Sequence, residues 1–257
     1  MKKQPLILIT NDDGITAPGI EALIKVAKEI TSKIMVVAPD KPQSGMGHAI
    51  TMNSMLRIEK VEVQGIEGYA CTGTPVDSVK MGVTKILKKK PDLILSGINH
   101  GSNSSINVIY SGTMSAAVEG AIEGVPSIGF SLCDGRIDAD FEPCLPFVKK
   151  IIEFSLENPM SEGVCLNVNI PAVDRKLING IKICRQAKAV WKERFEERKD
   201  PSGKDYFWLT GDFINSDENP EDTDEYALSQ NYISIVPVQF DVTAYKELKK
   251  LKKLQNV

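Results

Sequence analysis

Two histidines, His48 and His100, are all that the 257 residues contain. A zinc centre built on several imidazoles is therefore excluded. Cysteine does not replace them. The five cysteines (Cys71, Cys133, Cys144, Cys165 and Cys184) are odd in number, spread along the chain and never paired as CxxC. That usage fits buried free thiols in a reducing compartment better than disulfides or zinc ligands. A cytoplasmic location is expected, and the sequon at Asn103 carries no meaning for glycosylation. No GxxxxGKS or GxxxxGKT loop exists, which excludes a P-loop NTPase, and no GxSxG elbow supports a serine hydrolase.

Long apolar runs are missing too. The opening Leu6-Ile7-Leu8-Ile9-Thr10 breaks into Asn11-Asp12-Asp13-Gly14, too short for the core of a signal peptide, and no stretch reaches the length of a membrane span. Basic charge is also scarce: 31 Lys and Arg against 34 Asp and Glu leave a net charge of −3. The runs Lys88-Lys89-Lys90 and Lys249-Lys250…Lys252-Lys253 read as solvated helix ends or faces. Neither a nucleic-acid polymer nor a membrane is expected as a partner.

What is present is a globular composition, 42% apolar and 25% charged, in a chain long enough for one large α/β domain. The first two-thirds alternates short apolar strands with amphipathic helices. Leu6–Thr10 reads as a buried strand, and Ile20, Leu23, Ile24, Ala27 and Ile30 mark one face of the helix that follows. Ile34–Ala38 is the next strand. Segments in 50–72 alternate as inserted antiparallel strands, with Gly65 and Gly68 as turn residues. Thr74-Pro75-Val76-Asp77 opens a helix as N-cap, first position and capping box. Asp92–Ser96 is a strand, Gly97–Gly112 a polar loop, and a helix runs from Met114 to Glu123. Pro126–Leu132, a helix over 140–157 and Val164–Ile170 complete a βαβ series. The expected fold is therefore α/β, a mostly parallel sheet covered by helices on both faces. Beyond Pro171 come strands and turns rich in aromatics, an acidic loop at Ser216–Asp224, a strand at Tyr232–Val238 and an amphipathic helix at Thr243–Leu254. The aromatics either pack on another subunit or cover their own core, and composition does not choose between the two.

Three motifs follow strands of this sheet, where ligands of open parallel sheets bind. Asn11-Asp12-Asp13-Gly14 sets two carboxylates side by side; they repel unless a cation or protons intervene. A turn and helix cap would also use these residue types, but not two successive carboxylates beside Asn11. Pro39…Ser44-Gly45-Met46-Gly47 permits close backbone approach, although alone it is only a loop. Ser96-Gly97-Ile98-Asn99-His100 leads to Tyr110-Ser111-Gly112-Thr113, which opens a helix whose N-terminus suits phosphate. The candidate metal ligands Asp12, Asp13, Ser44 and Asn99 are all oxygen donors, which favours one hard ion, Mg²⁺ or Mn²⁺. His100 is either a proton donor to a leaving oxygen or a surface loop residue.

These motifs, in this order, resemble the survival protein E (SurE) family of metal-dependent 5′/3′-nucleotidases. The resemblance continues through Ala17-Pro18-Gly19-Ile20, Gly73-Thr74-Pro75-Val76-Asp77, Ala116-Ala117…Glu119-Gly120 and Asn167-Val168-Asn169, and so spans nearly the whole chain. It implies a single domain: a Rossmann-like three-layer α/β/α core over 1–175, with the β insertion near 50–72. Residues 176–257 would supply an extended β-hairpin, an oligomerisation arm and a C-terminal segment exchanged between subunits of a homodimer or homotetramer. It also implies hydrolysis of nucleoside 5′-monophosphates, with 3′-monophosphates as further substrates. Asp12 and Asp13 would be catalytic as well as metal-binding, while Asn11, Gly45, Asn103, Ser111, Gly112 and Thr113 would hold phosphate and substrate. Ser104-Ser105-Ile106-Asn107 departs from the glycine and acidic residue that many members carry there. A broader phosphatase acting on sugar phosphates or short polyphosphate, and a nucleotide sensor without turnover, are the competing expectations.

Overall fold

The computed structural model describes residues 4–218 and 220–256. In chain order its strands and helices are β1 (Ile7–Thr10), α1 (Pro18–Lys28), β2 (Ile34–Pro39), β3 (Ile58–Val63), β4 (Ile66–Cys71), α2 (Pro75–Lys80), β5 (Leu93–His100), α3 (Asn107–Tyr110) and α4 (Gly112–Ile122). They continue with β6 (Ser127–Leu132), α5 (Leu145–Glu157), β7 (Val164–Ile170), β8 (Ile181–Ile183), β9 (Ala189–Lys199), β10 (Asp205–Asn215), α6 (Asp224–Ser229), β11 (Ile233–Gln239) and α7 (Tyr245–Leu251). Nine strands form one sheet in the order β3-β4-β2-β1-β5-β6-β7-β11-β8, parallel except where β3 meets β4 and β11 meets β7.

The period-2 pattern of β1 explains the layering. Ile7 and Ile9 join a core with Leu23 and Ile24 of α1 and Val148 and Ile152 of α5. Leu8 faces the other way, into a cluster with Val79 of α2, Val83 and Ala116 of α4. Both faces of the sheet are thus sealed by helices, giving the three-layer α/β/α sandwich. Strands β8 and β11, both beyond residue 175, extend this same sheet, so only the β9–β10 hairpin leaves it.

Several boundaries differ from the sequence reading. The expected loop at Gly97–Gly112 is strand as far as His100, because Asn99 and His100 pair with Ser131 and Leu132 across a register shift. The inserted strands begin at Ile58, and Gly68 lies inside β4, paired with Val36, rather than in a turn. The helix expected over 140–157 starts at Leu145 behind a 3-10 turn, Glu142–Cys144. The capping box at Thr74 and Asp77 forms as expected, and a π-helical stretch, Met81–Leu87, continues α2. The helix expected from Met114 starts two residues earlier, at Gly112 with Ser111 as its cap. The C-terminal helix is shorter, Tyr245–Leu251, and passes into a 3-10 turn.

Helix α1 starts unusually close to β5. A Cβ added at Gly19 would lie 1.9 Å from the carbonyl oxygen of Ile98. This contact seats the segment that carries Asn99. Gly19→Ala is expected to destabilise the fold by about 3 kcal/mol through overpacking, read as a lower urea midpoint with an unchanged m-value.

Candidate active site

The carboxyl ends of β1, β2 and β5 and the N-terminus of α4 converge on Asp12. Its carboxylate is only 3% exposed as a residue. Thr113 donates its hydroxyl to Asp12 Oδ1, and the Gln43 backbone N–H donates to the Asp12 carbonyl at 2.7 Å. Gly112 backs directly onto it: a Cβ there would stand 2.7 Å from Asp12 Cβ and 2.8 Å from Oδ2. Only glycine fits the first turn of α4 at this point.

Asp13 is held from the other side. Its Oδ2 accepts from His100 Nδ1 at 3.1 Å and, at 3.3 Å, from the His100 backbone N–H. Asn99 spends its amide hydrogens on the carbonyls of His100 (3.1 Å) and Gly101 (2.7 Å). Asn11 Nδ2 donates to the Gly14 carbonyl at 2.8 Å, while its buried Oδ1 accepts nothing. Asp13 Oδ1 and Asn99 Oδ1 likewise accept no hydrogen bond among the described residues, while the Asp12 carboxylate is further supported by the backbone N–H of Thr113. Acceptor oxygens without donors, gathered beside two adjacent carboxylates, have the chemistry of a site for a hard cation.

Burial is the main reason that the Asp12 carboxyl is pushed up from its ordinary 3.8 to about 6, and the neighbouring Asp13 charge adds to it. The Thr113 hydroxyl and backbone oppose the shift. Among the described residues no three His, Cys, Asp or Glu side chains cluster as a metal site. The donor set here instead pairs two carboxylates with neutral oxygens.

The other expected residues fall as follows. Ser44 is exposed on the loop after β2, one residue past Gln43, and makes no hydrogen bond among the described residues. Gly45, beside it, has open space where a Cβ would stand. Ser111 caps α4, its Oγ accepting from the Met114 N–H at 3.0 Å. Thr113 holds Asp12 rather than pointing a free hydroxyl at solvent. Asn103 sits in an amide network: it donates to Ser131 Oγ at 2.9 Å, and its backbone is bracketed by Asn167 and Asn169. Asn103 and Thr113 are thus committed to neighbours more than a phosphate-donor role alone would require.

Two partnerships escaped the sequence reading. His100 lies on β5, in contact with Asp13, and is not a surface loop residue. Glu119 is buried in α4 and accepts from His48 at 2.9 Å and from Lys80, fastening the loop after Ser44 to α4. Burial raises the Glu119 carboxyl, but these two partners outweigh it and hold it below the usual range. Both contacts bridge distant parts of the chain, so no local pattern signals them. A cleft of about 900 Å³ opens at the opposite, amino ends of the strands, near Pro5, Asp92 and Pro126. The carboxyl end takes precedence because loops of several parallel strands meet there around a buried charge.

A family model described as Survival protein SurE matches residues 7–193. The chain belongs to the SurE family. It is 61% identical to the 5′-nucleotidase SurE of Flavobacterium johnsoniae over 251 residues, 97% of this chain and 96% of that protein. It is 59% identical to the 5′-nucleotidase SurE of Flavobacterium psychrophilum over 250 residues, 96% of each. The crystal structure of the SurE protein from Aquifex aeolicus superposes with a TM-score of 0.84 at 40% identity, covering 98% of this chain and all of that one. The carboxylate pair after the first strand is therefore set in a scaffold shared with the SurE protein of Aquifex aeolicus.

The raised Asp12 value has a thermodynamic consequence for protein stripped of divalent ions. The folded state keeps a proton that the unfolded state has released, so unfolding free energy falls as pH rises from about 4 to about 6 and then levels, by up to ~3 kcal/mol. Urea unfolding in EDTA across this window is expected to show the decline, and Asp12→Asn is expected to flatten it.

Proposed function

We propose that this chain is a divalent-metal-dependent phosphomonoesterase that converts nucleoside 5′-monophosphates, and also 3′-monophosphates, to nucleoside and phosphate. Relatives 59% and 61% identical over nearly the full chain bear the name 5′-nucleotidase SurE. The observation that carries the chemistry is the buried Asp12 carboxylate beside Asp13, with neutral acceptor oxygens of Asn11 and Asn99 next to them in the same turn and strand end.

Asp12, Asp13, Ser44 and Asn99 would hold one Mg²⁺ or Mn²⁺ ion. The bound ion supplies Lewis-acid polarisation of the phosphate and makes water a better nucleophile. Thr113 and His100 keep the two carboxylates in place before the substrate arrives, so little reorganisation is needed during the reaction. The Gly112 N–H lies in the first turn of α4, where the helix ladder leaves donors free, and favours a phosphate oxygen. Asn11, Gly45, Asn103 and Ser111 complete the phosphate-facing surface. In this reading Asp12 orients or deprotonates the attacking water.

The chain acts as a homodimer or homotetramer in this reading. The hairpin leaves Trp191, Phe195, Phe207 and Trp208 uncovered, and the tail leaves Tyr245, Leu248 and Leu251 uncovered. Apolar side chains in such number normally meet a partner surface. Four of the five cysteines are buried, all five are free, and no helix among the described residues is long and apolar enough to cross a membrane. A reducing, cytoplasmic setting suits such thiols.

Phosphate release from AMP, GMP, 3′-nucleotides, sugar phosphates and polyphosphate, with Mg²⁺, with Mn²⁺ and with EDTA, tests the reaction. Metal-dependent release from the nucleotides is expected, and Asp12→Asn is expected to abolish it without lowering thermal stability. Binding of nucleotide with no release in either metal would replace the enzyme with a sensor. For the assembly, Phe207→Ser combined with Trp208→Ser is expected to lower the sedimenting mass of the native protein.

A further inference from the structure

We propose that His100 is a positioning residue that presents Asp13 to the metal ion through its Nδ1–H. This inference rests on the metal reading of the site. Asp13 Oδ2 takes two hydrogen bonds from the one residue, from the ring Nδ1 at 3.1 Å and from the backbone N–H at 3.3 Å. A carboxylate only accepts, so Nδ1 carries the hydrogen.

The ring is itself held. His100 is registered on β5 against Leu132 of β6, and the ring meets Phe141 edge-on, with centroids 4.9 Å apart and planes at 88°. Phe141 is buried at 6% exposure, so it acts as a fixed wall. Nε2 is buried and has no hydrogen-bond partner among the described residues. The ring therefore acts on the site through Nδ1 alone, a geometry suited to holding a carboxylate rather than passing protons to a leaving group.

The pattern is the counterpart of Thr113 and Asp12: each carboxylate is fixed by a side-chain donor from a distant element. The same short segment also turns Asn99, whose amide hydrogens go to the carbonyls of His100 and Gly101. Without the ring, the partly exposed Asp13 side chain regains its rotamers, and a ligand that must be re-ordered binds more weakly.

The test is calorimetric titration of Mn²⁺ into full-length, metal-stripped protein as wild type, His100→Ala, His100→Asn and His100→Gln, with thermal unfolding of each as a folding control. The Ala variant is expected to bind about 10- to 100-fold more weakly. Asn, whose amide N–H₂ stands where Nδ1–H does, is expected to restore most of that loss. Gln, which reaches instead to the place of Nε2, is not. Unchanged affinity in the Ala variant, or rescue by Gln rather than Asn, overturns the assignment while leaving the metal reading intact. Failure of the wild type to bind Mn²⁺ overturns the metal reading and this assignment together.

Discussion

A carboxylate buried beside another carboxylate raises the energy of the fold that contains it, because neither water nor an opposite charge relieves it. Asp12 is in that position, and its surroundings are arranged about the conflict. The hydroxyl of Thr113 and the N-terminus of α4 lean on one side of the pair, and His100 on the other. The Thr113 hydroxyl and backbone oppose the rise of the Asp12 carboxyl without cancelling it; a bound cation, as proposed, would supply the rest.

Such an arrangement demands close backbone approaches. Helix α4 reaches Asp12 only because residue 112 lacks a side chain, and α1 reaches the Ile98 carbonyl only because residue 19 lacks one. The interior is dense enough that these are positional requirements rather than preferences. Glu119, with His48 and Lys80, fastens the outer loop to the same helix, so the loop bearing Ser44 is tied to α4 at a second point.

The hairpin is also mechanically linked to this edge. Asp224 accepts from the backbone N–H groups of Ser105 and Ala187 at 2.7 and 2.9 Å, and burial raises its carboxyl above the ordinary range. Ser105 adopts φ +53°, a region that favours glycine, and its hydroxyl bonds the carbonyls of Ala187 and Ala189 at the base of β9. Trp191 donates to Asn107 Oδ1 at 2.8 Å. The segment Ser104–Asn107 is thus the joint between the hairpin and the loop leading to Ser111.

By itself the sequence determined the alternation of strands and helices, the parallel core and the carboxylate pair at the end of β1, since each is encoded by local periodicity or by neighbours in the chain. The capping box at Thr74 and the helix start near Ser111 were legible for the same reason. Tertiary structure alone decided that β5 continues through Asn99 and His100, that Thr113 serves Asp12, and that His100 serves Asp13. It also left the hairpin aromatics exposed rather than over the core of their own chain. These outcomes depend on contacts between residues as much as 101 positions apart, such as Asp12 and Thr113. A hydrogen bond of that kind is chosen by packing the whole sheet, and it leaves no periodic trace in the sequence.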